Sequence, residues 1–149
     1  MVTDSVNSGY LAGSDQSDDL TGVAQNGTSQ IHIYAQAGDD VIHMDFSSIT
    51  GYSHGQHVRG DGSSGVDDTS VDRGSDTFNF QNLDNVDDII VGRIEDFDPS
   101  RDTLSIEGVE VTLAELESGS GVTAGYSWRI VEYDADSRDS VSDTQQWIL

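Results

Sequence analysis

Short groups of apolar residues recur along the whole chain, separated by Gly, Asp, Asn and Ser. Almost no segment has the periodicity of an amphipathic helix, and only residues 111–118, VTLAELES, have the composition of a short one. Short apolar groups bounded by turn-forming residues are typical of a β protein with many turns. The pattern therefore predicts an all-β fold with one short helix.

Within this pattern, three segments of nine residues share one phase. Each has Gly in the fourth place, Asp in the sixth, and an apolar residue or Thr in the eighth. The segments are AQAGDDVIH (35–43), GSSGVDDTS (62–70) and VDRGSDTFN (71–79), and their first residues differ by multiples of nine. A weaker copy, GSDQSDDLT (13–21), has Asp18 in the sixth place and Leu20 in the eighth. A shared phase of this kind indicates repeated structural units.

The pattern resembles the nonapeptide G-G-x-G-x-D-x-U-x of the repeats-in-toxin (RTX, hemolysin-type) calcium-binding family, in which U is large and apolar. The resemblance implies a short right-handed parallel β-roll, in which successive degenerate nonapeptides alternate sides and the eighth residue faces inward. It also implies calcium ions between loops on the same side. Gly permits the tight turn and exposes backbone carbonyls, while the Asp carboxylate points into the gap between stacked turns.

Two stretches interrupt the phase. Residues 44–61 give two units in which Ile49 and Val58 stand where Asp belongs, and their eighteen residues equal one full turn of a roll. We interpret residues 44–61 as an excursion loop that leaves the phase unchanged, and residues 22–25 as a smaller insertion. The predicted roll with this loop occupies residues 1–79.

The predicted calcium ligands lie in the turns of the repeats. With the insertions removed, Asp18, Asp40 and Asp76 follow one another on one edge, so that Asp40 would bridge two ions. Asp39 is expected to be solvated or a secondary ligand, and the turn glycines Gly38 and Gly74 belong to the same sites. The opposite edge carries Asp67 opposite Ile31, which makes a poor cage.

A further acidic turn, DFDPSRD (96–102), resembles the segment that closes RTX rolls. Asp96 and Asp102 occupy its acidic places and Asp98 lies between them. Calcium binding and a turn held by side-chain hydrogen bonds are both open here. The flanking segments, around Ile94 and Leu104, are expected to be paired strands.

Residues 80–149 are predicted to form an antiparallel β cap packed on the end of the roll. RIVEYDADSRDS (129–140) echoes RIEDFDPSRDT (93–103), and both have the pattern of strand, acidic turn, strand. The aromatic residues of this region are expected in the core of the cap, with an exposed sugar-binding platform as the alternative. They are Phe97, Trp128, Tyr133 and Trp147.

Charge narrows the possible partners. The net charge is −22, from 28 acidic residues against six basic residues that are all Arg. Such a field repels nucleic acid and anionic lipid and also works against the compact state, so that cations or high salt must neutralise it. A salt-adapted acidic surface is therefore the alternative to calcium binding. There is no Cys for a disulfide, no apolar run long enough for a membrane span, and no signal-peptide pattern in MVTDSVNSGY.

The resemblance implies a non-catalytic calcium-binding module of a secreted protein, exported by a type I route and folding on calcium outside the cell. No catalytic motif argues for an enzyme, and a monomer is expected. One alternative is a carbohydrate-binding auxiliary module of an extracellular polysaccharide-active enzyme. The other is an adhesive or surface-display module, motivated by the RGD at residues 59–61.

Overall fold

Most of the described chain is β-strand. The computed structural model describes residues 3–6, 9–26, 31–49, 56–61, 74–85, 92–94, 97–132 and 144–148. Besides strands, these ranges contain one α-helix and a short 3-10 helix, Leu83–Asn85. The predicted all-β class is confirmed at this level.

The strands alternate between two sheets as the chain proceeds. In chain order they are β1 (Thr3–Val6), β2 (Gly9–Ala12), β3 (Asp19–Val23), β4 (Ile31–Gln36), β5 (Val41–Asp45), β6 (Gln56–Asp61), β7 (Thr77–Gln81), β8 (Gly92–Ile94), β9 (Thr103–Ile106), β10 (Val109–Glu110), β11 (Ser120–Thr123), β12 (Tyr126–Glu132) and β13 (Thr144–Ile148). The first sheet has the order β1-β3-β5-β7-β9-β10, and the second has the order β11-β12-β13-β8-β6-β4-β2.

Parallel pairing joins the odd-numbered strands from β1 to β9 in the first sheet. It also joins β2, β4, β6 and β8 in the second sheet. The remaining pairs, β9–β10, β11–β12, β12–β13 and β13–β8, are antiparallel. Each passage through both sheets therefore adds one strand to each of them.

The core lies between the two sheets. Along β3, β4, β5, β7 and β9 buried residues alternate with partly exposed or exposed ones, as expected for strands with one solvated face. One buried row of the first sheet runs across neighbouring strands in register, through Leu20, Ile42, Phe78 and Leu104. Leu20, Ile42 and Phe78 hold the eighth places of their nonapeptides, and their predicted burial is confirmed.

The interpretation of residues 44–61 as an excursion loop is wrong. Residues 44–45 end β5, and residues 56–61 form β6, which pairs with β4 on one side and β8 on the other. Ile49, which stands where the repeat has Asp, is fully buried. An apolar residue at that place is stabilised by packing in the core, so the repeat pattern is lost while the two-sheet arrangement continues. Residues 22–25 are likewise not an insertion, because β3 extends to Val23 and Ala24 is buried.

The segments on either side of the acidic turn 96–102 are not paired with each other, contrary to expectation. β8 belongs to the second sheet and β9 to the first. Each extends its own parallel array, because the intervening turn crosses from one sheet to the other. Parallel pairing thus continues to Ile106, well beyond residue 79, where the predicted cap was to begin.

Antiparallel strands and the predicted helix follow. The helix α1 spans Leu113–Ser118 and begins with a capping box, in which Thr112 Oγ1 accepts the Glu115 N–H and the Glu115 carboxylate accepts the Thr112 N–H. It ends at Gly119, whose φ of 83° is left-handed. In the described part of the chain, no helix is long and apolar enough to cross a membrane.

Two of the four aromatic residues that were expected in the core of the cap are buried, Trp128 in the antiparallel strands and Phe97 against the parallel ones. Trp128 is 2% exposed and its Nε1–H donates to Thr123 Oγ1 at 3.0 Å. Phe97 is buried against Phe78, with ring centroids 5.8 Å apart, so it packs on the parallel strands. Tyr133 lies outside the described residues. Trp147 lies in β13 in register with Arg129, one residue away from the buried Trp128 on β12.

Candidate functional site

Four aspartates form a column along the side of the first sheet at which its parallel strands begin. Each immediately precedes one of its parallel strands, β3, β5, β7 or β9, and neighbouring strands are in register, so the four carboxylates are stacked. All are buried, with relative exposures of 3%, 1%, 1% and 6%. In order across the sheet they are Asp18, Asp40, Asp76 and Asp102, and we call this set the Asp column.

The column is linked by hydrogen bonds from backbone to carboxylate. The Asp18 N–H donates to Asp40 Oδ1 at 2.8 Å, and the Asp40 N–H donates to Asp76 Oδ1 at 3.0 Å. The Asp76 N–H donates to Asp102 Oδ1, also at 3.0 Å. The carboxylates of Asp40, Asp76 and Asp102 therefore each accept a hydrogen bond from the backbone N–H of the preceding Asp in the column. These bonds extend the hydrogen bonding of the sheet by one position beyond the strands.

Each end of the column is closed by its own turn. At one end, both the backbone N–H and the hydroxyl of Ser14 donate to the Asp18 carboxylate. At the other, the Asp98 N–H donates to Asp102 Oδ2 at 2.7 Å. These bonds satisfy the two outer carboxylates from within the turns that carry them.

The two middle carboxylates have a different environment. In the described part of the chain, the buried Oδ2 atoms of Asp40 and Asp76 accept no hydrogen bond, whereas their Oδ1 atoms accept the bonds above. Both residues also take part in further interactions. Each has a carboxylate neighbour on both sides, so any negative charge on the column is most concentrated here.

Two glycines let the turns of the column stack closely. A Cβ on Gly74 would lie 1.6 Å from the carbonyl oxygen of Gly38, and a Cβ on Gly38 would lie 2.6 Å from backbone atoms of Gln16 and Ser17. Gly38 also has a φ of 121°, which L side chains rarely adopt. The glycines of the repeat thus bring one turn into backbone contact with the next.

A second, exposed row runs beside the Asp column. The Ser75 N–H donates to Asp39 Oδ1 at 2.8 Å, and the Asp39 N–H donates to Ser17 Oγ at 3.3 Å. Asp39 is exposed, as one of its two predicted roles required. The acidic pair at residues 39–40 therefore divides into one carboxylate at the surface and one inside the column.

The acidic turn 96–102 contributes Asp102 to the column and Asp98 to its support. Burial alone would raise the pKa of Asp98, but hydrogen bonds from Ser100 and Arg101, together with the positive charge of Arg101, hold that pKa below its usual value. Hydrogen bonds within the turn, one of the two expected possibilities, are thus present. Asp96 and Asp67 lie outside the described residues.

Sequence reasoning placed Asp18, Asp40 and Asp76 on one edge, and the structure brings these three together. The sequence did not predict that Asp102 lies with them, because residues 96–102 were assigned to a separate closing segment. A signal was nevertheless present, since each member of the column is followed by any residue and then by an apolar one. The four tripeptides are DDL (18–20), DVI (40–42), DTF (76–78) and DTL (102–104).

The types of ligand atom in the column suit calcium, but the positions of its carboxylates form only part of a calcium site. Carboxylate and backbone carbonyl oxygens are the ligands that Ca²⁺ takes, and the column contains no nitrogen or sulfur ligand. The carboxylates are stacked one above another, and each of three uses Oδ1 to accept an amide. In the described residues, no group of three or more acidic or His side chains converges to hold a metal ion.

Another polar row crosses the outer face of the first sheet. Ser105 Oγ donates to Asn79 Oδ1 at 2.6 Å, Asn79 Nδ2 lies 3.3 Å from His43 Nδ1, and His43 Nε2 lies 3.5 Å from Asp19 Oδ1. A hydroxyl nucleophile needs a base within hydrogen-bond reach. Because the hydroxyl of Ser105 donates to an amide oxygen, this row joins neighbouring strands and has no nucleophile–base pair.

No protein-family model, no curated protein and no solved structure matches this chain.

Proposed function

We propose that this chain is a non-catalytic calcium-binding module with a right-handed parallel β-roll of the RTX type. The observation that carries the proposal is the Asp column, in which four buried carboxylates stand at four successive turns on one edge. The phase of Gly, Asp and apolar residues that resembles the RTX nonapeptide runs through the turns of Asp40 and Asp76, and its weaker copy at Asp18 keeps the Asp and the apolar residue. The alternation of parallel strands between two sheets is what a roll requires.

Electrostatics supports a bound cation at this column when its carboxylates are ionised. Neighbouring strands lie about 4.8 Å apart, so two ionised carboxylates at this spacing repel each other by on the order of 3 kcal/mol at an effective dielectric constant of about 20. Asp40 and Asp76 each have two such neighbours. A hydrogen bond to a charged group contributes about 1.5–3 kcal/mol, which does not offset repulsion from both sides. Together with a net charge of −22, this favours a folded state that depends on bound cations.

Calcium would be held by carboxylate oxygens of the Asp column and by backbone carbonyls of the glycine turns. Its role would be to neutralise the column and join successive turns. Modules outside the cell bind calcium with a Kd of about 10⁻⁴ to 10⁻³ M. Calcium at about 100 times Kd stabilises the folded state by about 2.7 kcal/mol per site, which is a large part of the stability of a small domain.

The same calcium dependence would support export of the module. A chain that is unfolded at the low calcium concentration inside a cell and folded outside suits a type I route, which the RTX resemblance implies. We therefore propose that the module belongs to a secreted protein and folds after export.

A far-UV circular dichroism titration tests the proposal. In EDTA at low salt we expect a largely disordered or molten chain, and millimolar calcium should convert it to a β-rich state with a cooperative melting transition. Magnesium should be far less effective, because it requires small octahedral cages and dehydrates reluctantly.

Sodium chloride at equal ionic strength is the control. If it restores the same spectrum and melting temperature as calcium, the chain is a salt-adapted acidic protein and the calcium proposal is wrong. A chain that is already fully folded in EDTA at low salt would also contradict it.

A further inference from the structure

A histidine and an aspartate face each other on the outer face of the first sheet. Asp19 begins β3 and His43 lies in the middle of β5, and along both strands they alternate with buried residues. Asp19 is in register with Val41, so His43, two residues further on, is its diagonal neighbour on the same face. His43 Nε2 and Asp19 Oδ1 are 3.5 Å apart. The pair is distinct from the Asp column, because Asp18 of the column is buried whereas Asp19 is exposed.

The distance between these two atoms suits a shared metal ion better than a direct hydrogen bond. Hydrogen bonds from nitrogen to oxygen are about 2.7–3.2 Å long, and those between charged partners are about 2.7–2.9 Å. Two ligands of one tetrahedral zinc ion, each about 2.0–2.2 Å from the metal, are roughly 3.4 Å apart. The 3.5 Å between His43 Nε2 and Asp19 Oδ1 is close to this second distance.

Two further side chains orient the imidazole ring of His43. Asn79 Nδ2 lies 3.3 Å from His43 Nδ1, and the Ser105 hydroxyl lies 2.6 Å from Asn79 Oδ1. Since β5 lies between β3 and β7, one ring nitrogen contacts Asn79 on β7 and the other faces Asp19 on β3. A histidine that binds a metal through one nitrogen is generally oriented by a hydrogen bond at the other nitrogen. His43 has this second contact already in place.

The same side chains can support the tautomer that metal binding requires. A metal ion on Nε2 needs the neutral ring with its proton on Nδ1. When the amide of Asn79 is turned by 180°, its oxygen accepts the His43 Nδ1–H, and its NH₂ group donates to the Ser105 hydroxyl oxygen. Both contacts are kept in this arrangement, with donor and acceptor exchanged. Metal binding at Nε2 therefore leaves no polar group of the row without its neighbour.

We propose that Asp19 and His43 bind a divalent transition-metal ion, represented by zinc, at a site separate from the Asp column. An imidazole nitrogen suits zinc, copper and nickel, whereas calcium takes oxygen ligands. The net charge of −22 attracts cations to the surface of the protein. The ion would join β3 to β5 on the outer face of the sheet, and would therefore stabilise the folded chain.

The site is open and has two protein ligands. The side chains of His43 and Asp19 are 29% and 51% exposed, so water can reach the ion and occupy its other coordination positions. Among the residues that the structure describes, acidic and His side chains form no group of three or more that could hold a metal. The ion is therefore expected to exchange with solvent, unlike the ion of a closed structural zinc site with four protein ligands.

Zinc titration tests the proposal, in the buffer in which circular dichroism shows the chain to be folded. In NMR spectra of the histidine rings, we expect zinc to shift the signals of His43 and to leave those of His32, on the second sheet, unchanged. In calorimetric titration, His43→Gln and Asp19→Ala should each abolish binding at this site. Zinc should raise the melting temperature of the wild type and not that of either variant.

Matched variants separate the site from general effects of histidine and charge. His32→Gln removes a histidine that is stacked on Tyr10, and Glu117→Gln removes an exposed carboxylate from α1. Both should leave the zinc affinity unchanged. Asn79→Ala keeps both ligands and removes the group that orients the ring, so it should lower the affinity by about tenfold.

Three results would overturn the proposal. They are wild-type zinc affinity in His43→Gln, equal loss of affinity in His32→Gln and His43→Gln, and displacement of the zinc by an equal concentration of calcium. Zinc that binds only to the carboxylates of the Asp column would not respond to His43→Gln. The outcome at His43 is therefore independent of whether calcium binds the column.

Discussion

The backbone N–H of Asp40 donates to the Oδ1 of Asp76, 36 residues later in the chain, at 3.0 Å. This bond joins two turns that are neighbours only because β5 and β7 are paired in register. It shows how the column is built. The backbone N–H of each Asp lies just before a strand, and the carboxylate of the next turn accepts its hydrogen bond. The same arrangement places buried negative charges one strand apart, so the contact that connects the turns also concentrates their charge.

Replacing Asp40 with Asn should have opposite effects with and without calcium. Asn keeps an oxygen that accepts the Asp18 N–H but removes the charge between two carboxylates. We expect the calcium-free chain to become more stable and calcium binding to weaken, by more than for Asp18→Asn at the end of the column. Far-UV circular dichroism in EDTA, where the Asn variant should contain more β-structure than the wild type, and calorimetric calcium titration measure the two effects.

Asp40→Ala is the companion variant. It removes the acceptor as well and leaves the buried Asp18 N–H without this bond, which costs about 1–3 kcal/mol. It should therefore lack the gain in β-structure that Asp40→Asn shows in EDTA. Equal β-structure content of the Asn and Ala variants in EDTA would show that the amide bond contributes nothing measurable.

Gly74→Ala should prevent the turns from stacking. The new Cβ would lie 1.6 Å from the Gly38 carbonyl oxygen, a backbone atom that cannot move without separating two strands. We expect a loss of about 3 kcal/mol or more, seen as a large fall in melting temperature. The control is Gly108→Ala, where φ is 75° but nothing lies within 4 Å of the new Cβ. It should cost only the left-handed strain, about 1–2 kcal/mol. Similar losses at the two sites would contradict the stacking argument.

Asp45 should contribute to the acid sensitivity of the fold. Burial alone would raise its pKa, but hydrogen bonds from Asn82 Nδ2 and the Ser47 N–H hold that pKa below the usual value. Its stabilising effect is therefore complete above the unfolded-state pKa of about 3.9 and is lost as the pH falls through the lower folded-state value. Melting temperatures of the wild type and Asp45→Asn, measured from neutral to acidic pH, should converge at the acid end. A constant difference across this range would exclude the ionised form as the source.

Deleting residues 44–61 should abolish the fold, although their length equals two repeats. The deletion removes β6, the strand that joins β4 to β8, together with the end of β5 and the buried Ile49. We expect loss of the cooperative melting transition even in calcium. A variant that melts cooperatively with an unchanged calcium response would restore the excursion-loop interpretation.

The amino-acid sequence was sufficient to predict the features that repeat locally. The phase of Gly, Asp and apolar residues predicted turns before short strands, an inward row at Leu20, Ile42 and Phe78, and one edge for Asp18, Asp40 and Asp76. The short helix could be predicted because its capping box is local. These features depend on interactions between residues that are close in sequence, so a segment of nine or fewer residues determines each of them.

Pairing between distant strands was decided only by the tertiary structure. Residues 56–61 have no repeat pattern, yet they form β6 because β4 and β8 each need a hydrogen-bonding neighbour. Asp102 joined the column because β9 pairs with β7 across a turn of unrelated sequence. Trp147 was placed in register with Arg93 and Arg129 by two antiparallel pairs. A shift of one residue in pairing moves every side chain of a strand to the other face, and no local pattern determines a register set by long-range pairing.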